Sequence, residues 1–372
     1  MHRVRLSYDL APPDDDRRAL HHPLMAMLEA IHATGSISAA ARRLGQSYRH
    51  VWGELKRWEA ELDHELVVWA KGRPARLAPF GSKLLWAERR VLARLAPQLE
   101  ALRSELDRVF DVAFDDSAGV IPMYASHDEA LPRLREWAAR QRALHLDIQF
   151  TGSVDALAAL NEGRCLVAGF HALVRSPLGS PTARVYRPML KPGVHKLIGF
   201  ALRTQGLIVA AGNPLGIASL DALARPGVRF VNRQRGTGTR VVLEELLDAA
   251  RVAAERIDGY DRTEPSHLAV AECVASGRVD AAFGIEAAAR ARGLDFVALA
   301  SEQYFLATHA ENLAHPHVQA LLDALATPEW QAVLASIPGY APERSGEVLS
   351  LRQILPWWHY RTPKPAARQG PA

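Results

Sequence analysis

The sequence predicts an α/β chain in two parts. A small, mostly helical head ends in a hairpin and a long helix, and behind it lies a larger domain of two lobes built from alternating strands and helices. Three observations predict it. Within 372 residues, enough for two or three separate cores, the first hundred carry apolar residues at three- and four-residue spacing, the mark of amphipathic helices. Beyond residue 119 the pattern changes to short apolar runs, small polar loops and helical stretches in alternation, which builds sheets with ligand sites at the carboxyl ends of the strands. Two stretches, NEGRCLVAGFH at 161–171 and ASGRVDAAFG at 275–284, share one order of helix end, Gly-Arg, apolar strand and small residues. Two lobes of like construction with a cleft between them are expected.

Composition narrows the function classes. Residues 1–20, MHRVRLSYDLAPPDDDRRAL, form an extension with no apolar leader core. No uncharged apolar run approaches the roughly 18 residues that span a bilayer, so a cytoplasmic location without a membrane partner is expected. The two cysteines, Cys165 and Cys273, fall in a strand-like and a helix-like run and read as small buried hydrophobes, which leaves no disulfide, redox or metal role. A net charge of +4 permits a nucleic-acid partner. Its location says more: between Arg42 and Arg90 eleven Lys or Arg face six Asp or Glu, while the rest of the chain is nearly balanced.

That basic segment, in a head set at 21–80, reads helix by helix. Leu24 to Ile31 is amphipathic, Gly35-Ser36-Ile37 is a turn, Ser38 caps Ala39 to Leu44, and Gly45 ends that helix. Ser47 caps the next. In it Val51, Leu55, Trp58 and Leu62 share an inward face, while Arg49, Gly53 and Lys56 lie opposite, with His50 and Arg57 on one flank. Two short helices about a tight turn, the second with a basic outer face, form a helix-turn-helix; a three-helix bundle with a solvated basic face is the alternative. Leu66–Ala70 and Ala75–Leu77 flank Lys71-Gly72-Arg73-Pro74, a basic-tipped hairpin placed as a wing. The expected contacts to double-stranded DNA are Ser47, Tyr48, Arg49, His50, Gly53, Lys56, Arg57, Lys71 and Arg73.

GSISAAARRLGQSYRHVWGELKRWE followed by LVVWAKGRPARLAPFG resembles the N-terminal winged helix-turn-helix of the ModE family and, more loosely, that of LysR-type regulators. The resemblance covers roughly residues 20–110; Pro79 departs from it, where the pattern has Thr. After Gly81, Leu84, Val91, Leu95, Leu99, Leu102, Leu106 and Val109 make a stripe on a helix set at 81–110, best covered by a partner helix in a homodimer or higher oligomer. A dimer implies a palindromic operator. Pro97 should kink or divide that helix. Asp111 to Gly119 reads as a linker.

In the 120–350 domain, Val120–Tyr124, Leu146–Phe150 and Cys165–Phe170 are strands, with helices opening at Ala125–Asp128 and Val154. Lys196–Arg203 and Gly206–Ala211 read as two strands crossing between lobes. VNRQRGTGTR, 231–240, joins a strand to a helix start. It lacks the Lys-Ser/Thr of a P-loop and the third glycine of a dinucleotide loop. What remains is an oxyanion cradle of converging backbone N–H groups, Thr237, Thr239, Arg235, Arg240 and a helix N-terminus. A glycine turn with solvated arginines is the alternative.

ASHD, TGS, AGFH, NRQRGTGTR, SHLAVA, GRVDAAFGI and GYAPERSGEV resemble the type-2 periplasmic-binding-protein-like domain found behind ModE-like heads and in molybdopterin-biosynthesis proteins. The resemblance implies a cleft lined by Ser126, His127, Gly152, Ser153, His171, Arg235, Gly236, Thr237, Gly238, Thr239, Arg240 and His267. It implies a ligand-responsive regulator that needs no cofactor and binds a small anionic effector: molybdate, tungstate or the molybdenum cofactor. A small organic acid, as for LysR-type regulators, is the alternative. Neither a nucleophile elbow nor a metal-ligand cluster occurs, so no enzyme is expected; a molybdopterin-processing enzyme and a ligand-free DNA-binding protein are the remaining readings. The tail at 351–372 has no reading.

Overall fold

Pro23, whose fixed φ suits the first turn of a helix, starts α1 (Pro23–Thr34), and the His22 ring accepts the Leu24 N–H at 3.3 Å. The structure is a computed structural model and describes residues 22–69, 74–114, 119–173 and 176–358. A head unit runs to Leu99 and a second unit starts at Glu100. Gly35 ends α1 at φ 63°, a left-handed conformation that glycine adopts without strain. The cap of α2 (Ile37–Arg43) is Ser36 and not Ser38: residue 36 is extended and its hydroxyl accepts the Ala39 N–H, whereas Ser38 already lies inside the helix. Ser47 caps α3 (Tyr48–Leu62) as expected, accepting the His50 N–H at 3.2 Å. Val51 and Leu55 are buried in one core with Leu24, Leu28 and Ile31, and Trp58 and Leu62 pack at its edge. The wing strands β1 (Val67–Val68) and β2 (Arg76–Leu77) pair antiparallel. Residues 1–21, 70–73 with Lys71 and Arg73, 115–118, 174–175 and 359–372 lie outside the described residues.

Helix α4 (Pro79–Phe114) differs from the sequence reading in two places. Pro97 stands inside it without dividing it: proline removes one backbone bond, and turns rich in Leu, Ala, Arg and Glu on both sides carry the helix through. The segment expected as a linker is helical to Phe114, and Gly119 already belongs to a strand. Val91, Leu95 and Leu102 are exposed on this helix, with Leu99 and Leu106 half-buried.

The second unit runs β3 (Gly119–Ala125), α5 (Ala130–Arg142), β4 (Leu144–Phe150), α6 (Ser153–Asn161), β5 (Val167–Leu173), α7 (Pro181–Tyr186) and β6 (His195–Val209). Then come β7 (Phe230–Arg233), α8 (Gly238–Ala250), β8 (Thr263–Glu264), α9 (His267–Ala275), β9 (Ala281–Ile285), α10 (Glu286–Arg290) and β10 (Asp295–His309). It closes with α11 (Pro316–Ala326), α12 (Pro328–Ala335), β11 (Tyr340–Ala341), β12 (Val348–Ser350) and α13 (Leu351–Ile354). The strand order is β4-β3-β5-β10-β6-β9-β7-β8, with β11 and β12 also on β6. β3 runs parallel to β4 and β5, and β7 to β8 and β9. β6 and β10 run antiparallel to each other along their length, pairing with the first lobe at one end and the second at the other. Two βα lobes therefore share two crossing strands.

The runs expected as separate crossings, Lys196–Arg203 and Gly206–Ala211, are one strand, β6, and the second crossing is β10. The polar pair Thr204-Gln205 that suggests a break is the crossing point itself. Residues 126–128 are loop rather than helix, since the Asp128 carboxylate accepts the Ala130 N–H at 2.7 Å and starts α5 there. His171 sits inside β5 and not at its end. The residues after 350 also pack: Trp357 is buried on the first lobe and donates its indole N–H to Ser176 O at 2.9 Å. The domain thus spans Gly119 to Trp358. Cys165 and Cys273 are buried and free, as expected, and burial pushes both thiols up to about 11. Among the described residues no single helix is long and apolar enough to cross a membrane.

Candidate functional site

In the head, Ser47, Tyr48, Arg49, His50, Gly53, Lys56 and Arg57 are all exposed, as the helical spacing requires. The basic face is partly self-neutralised. Lys56 pairs with Glu59 at 2.7 Å and lies over the Trp52 ring, while Arg57 pairs with Glu54 at 2.7 Å and Glu61 at 3.3 Å. Arg49 forms no ion pair among the described residues, so its charge is the one most available to a polyanion.

In the second unit, the N-termini of α6, α8 and α9 meet where the lobes touch. The Val154 N–H of the first lobe donates to Gly236 O of the second at 3.4 Å. A Cβ on Gly152 would stand 2.8 Å from that carbonyl, and one on Gly238 would stand 2.7 Å from His171 Cδ2 and 3.0 Å from Ser153 Oγ. Only glycine permits backbones and side chains this close. Ser126 Oγ and His171 Nε2 are hydrogen-bonded at 2.6 Å. Thr239 Oγ1 accepts the Gln205 side-chain N–H at 3.1 Å and lies 3.4 Å from His267 Nε2. His127 packs on Phe150 and His171 on Tyr304. Ser126, His127, Gly152, Ser153, His171, Gly238, Thr239 and His267 are thus drawn to one region.

The expected cradle loop is otherwise. Thr237 is a helix cap whose hydroxyl donates to Gln234 O at 2.7 Å and accepts the Arg240 N–H. Arg235 is solvent-exposed beside Asp261. Arg240 is buried, but Glu244 at 2.9 Å, Tyr260 O at 3.1 Å and the Tyr260 ring at 4.0 Å occupy its guanidinium. At its position in the first turn of α8, the Arg240 side chain reaches along the helix to Glu244, one turn on, instead of back into the cleft. Arg235 thus faces solvent, and Arg240 is engaged by protein groups.

The cation of the site is Arg233, three residues before the glycine loop and the last residue of β7. It is 1% exposed. Its Nη1 donates to Glu264 O at 3.3 Å, its Nε has no partner, and no carboxylate pairs with it among the described residues. Burial first, then the charge of Arg203, lowers it to about 9. Arg203 itself is compensated by ion pairs to Asp128 and Glu302. Tyr340 donates to Asp128 at 2.6 Å and Gln205 to Glu302 at 2.7 Å. The sequence signal for both arginines is a charged residue inside an apolar strand run, LIGFALRTQGLIV and VRFVNRQ.

The charge of Arg233 bears on all three histidines. Burial and then Arg233 hold His127 down to about 4. Burial, followed by Arg203 and Arg233, keeps His171 well below 6.5; for His267 the order after burial is Arg233, then Arg203. Each is therefore a neutral ring with one N–H to give. The Nδ1 atoms of His127, His171 and His267, Ser153 Oγ, Tyr304 OH and Arg233 Nε are buried with no hydrogen bond of standard geometry. Each such group costs about 1–3 kcal/mol when unmade. An anion would satisfy the donors together, and the α6 and α8 N-termini add favourable dipoles. Ser126 and His171 have the spacing of a nucleophile and base, yet no carboxylate orients His171 Nδ1, the third member such a pair relies on. Among the described residues no group of three His, Cys, Asp or Glu is arranged for a metal ion.

Residues 134–326 match the PBP superfamily domain, and residues 23–82 match the bacterial regulatory helix-turn-helix protein, lysR family. The chain is 31% identical over 201 residues to the uncharacterized protein YvgK of Bacillus subtilis (strain 168), covering 54% of this chain and 64% of that protein. It thus spans just under two thirds of that relative's length. It is also 31% identical over 111 residues to an uncharacterized Clostridium pasteurianum protein encoded in the 5′ region of a 2Fe-2S ferredoxin gene, covering 30% of this chain and 98% of that one. Among solved structures, full-length BenM shares 15% identity at a TM-score of 0.42, covering 84% of this chain and 95% of that one. CbnR complexed with its target DNA shares 16% at 0.41, covering 81% and 97%.

Proposed function

This chain belongs to the PBP superfamily, and on that premise we propose that it is a DNA-binding transcriptional regulator whose two lobes close on a small anion beside Arg233. The observation that carries the reading is the buried, unpaired Arg233 among neutral donors. An uncompensated cation taken out of water costs several kcal/mol, and an anionic effector offsets that cost when it binds. The match of the head to LysR-family helix-turn-helix proteins supports duplex DNA as the partner. The uncovered stripe Val91, Leu95, Leu102 supports a dimer through α4, and hence a palindromic operator. Within the anions, the ModE-like signature of the head favours molybdate, tungstate or the molybdenum cofactor, and the LysR-family match favours a small organic acid.

Native mass spectrometry of full-length protein from its own host tests the reading. The wild type should carry an anionic adduct and Arg233→Met should lack it; a neutral or cationic adduct, or equal retention by the variant, refutes it. Titration calorimetry with molybdate, tungstate and small carboxylates then separates the two finer readings.

A further inference from the structure

The DNA-facing side of the head carries an aromatic wall that the basic face does not explain. Tyr48 and Trp52, one turn apart on α3, lie parallel with centroids 6.3 Å apart and 9° between planes. Trp69, just past β1, sets its ring against Trp52 at 6.1 Å and 68°. Tyr48 is 47% and Trp69 55% exposed, and neighbouring Val68 is 46% exposed. Contiguous aromatic surface of this kind on a small unit marks a binding face. Exposed cations accompany it on α3, Arg49 next to Tyr48 in the chain and Lys56 4.8 Å over the Trp52 ring, and α2 of the same head exposes Arg42 and Arg43. That charge favours a polyanion over an apolar protein partner.

Resting on the regulator reading, we propose that Tyr48, Trp52 and Trp69 read thymine in duplex DNA by packing against its C5-methyl group. Of the base edges in the major groove, thymine alone presents a methyl, and apolar side chains recognise it by contact. The stack is held on its inner side, where Trp52 packs against the head core, so Tyr48 and Trp69 present a preset surface. Arg49 beside it supplies the hydrogen bonds and phosphate contacts that aromatic faces cannot make.

The test uses the full-length protein. A preferred duplex is selected from a random 20-bp library, and each thymine is then replaced singly by deoxyuridine, which removes only the methyl. At one or more positions the wild type should weaken about four-fold, the equivalent of about 0.8 kcal/mol for one methyl group. That penalty should vanish in Tyr48→Ala or Trp69→Ala, both half-exposed positions whose truncation leaves the head core in place. Wild-type affinity indifferent to every deoxyuridine, or the same penalty in both variants, overturns the proposal while the regulator reading stands. Tighter binding to the single strand than to the duplex also overturns it, in favour of base stacking. A library that enriches no sequence overturns both.

Discussion

Replacing Arg233 by Met should make the ligand-free protein more stable and the ligand-bound protein weaker, two effects of opposite sign from one atom group. The pKa of Arg233 lies at about 9 in place of the ordinary 12.5, which at ~1.4 kcal/mol per pH unit is on the order of 5 kcal/mol against the charged form. Met fills similar volume and forgoes the 3.3 Å bond to Glu264 O, worth about 1 kcal/mol. A net gain of about 2–4 kcal/mol remains, which at 2–4 °C per kcal/mol is a rise in Tm of roughly 4–16 °C. The pH dependence has a definite sign. The cost exists while the folded side chain is charged, so the wild type should close the gap on the variant as pH rises through about 9. Loss of the charge-assisted bonds should at the same time weaken anion binding by about 10- to 150-fold, or about 1.5–3 kcal/mol. Differential scanning calorimetry of anion-free protein, paired with titration by the host-derived ligand, measures both. An Arg233→Met protein less stable than wild type without ligand refutes the idea of an uncompensated cation, and unchanged affinity refutes its role as the anion partner.

His127, held to about 4, stays neutral in the fold while the unfolded chain protonates near 6.5. Its contribution is full above that value and is lost as pH falls, at up to ~1.4 kcal/mol per pH unit. Urea unfolding at pH 7 and 5 should show His127→Asn gaining about 2 kcal/mol relative to wild type at the lower pH; a constant difference disproves the buried neutral ring. Gly238→Ala places a Cβ 2.7 Å from His171 Cδ2, so lobe closure should suffer and affinity fall at least about ten-fold, the loss that ~1.4 kcal/mol of strain produces; a wild-type isotherm would show that the lobes do not need this contact. Leu95→Glu with Leu102→Glu should convert a dimer into monomers in sedimentation, since charges would replace exposed apolar residues of the α4 stripe; an unchanged sedimentation coefficient places the interface elsewhere. Arg49→Ala should weaken binding to a selected duplex by about 1–3 kcal/mol and Lys56→Ala by less, because Glu59 already holds Lys56; equal losses in anisotropy titrations would contradict that ranking.

The head was legible because its signals are local. A cap such as Ser47 acts within three residues, and the Val51-Leu55-Trp58 face follows from helix geometry alone. The alternation of strand and helix was legible for the same reason. The proposed anion site was only half so. Arg235 and Arg240 flank the glycines in sequence, but α8 turns Arg240 toward Glu244 and leaves Arg235 in solvent. Arg233 lies two residues beyond the apolar run Val228–Val231, and its burial comes from a sheet covered on both faces, where every residue of β7 is buried. No periodicity separates inside from outside in such a strand. The compensation of Arg203 by Glu302, 99 residues away, is likewise a product of β6 and β10 lying side by side, which spacing along the chain does not encode.

The two crossing strands also set an order of birth. The second lobe is one continuous stretch between β6 and β10, whereas the first lobe gathers β3, β4 and β5 from before it and waits for the far half of β10, with β11 and β12, from after it. As the chain leaves the ribosome, the lobe begun first is therefore finished last. Until residues 302–307 arrive to join β5, the earlier strands have no neighbour across the middle of their sheet. The region around Arg233, where groups of both lobes come together, is among the last features of the newborn chain to take shape.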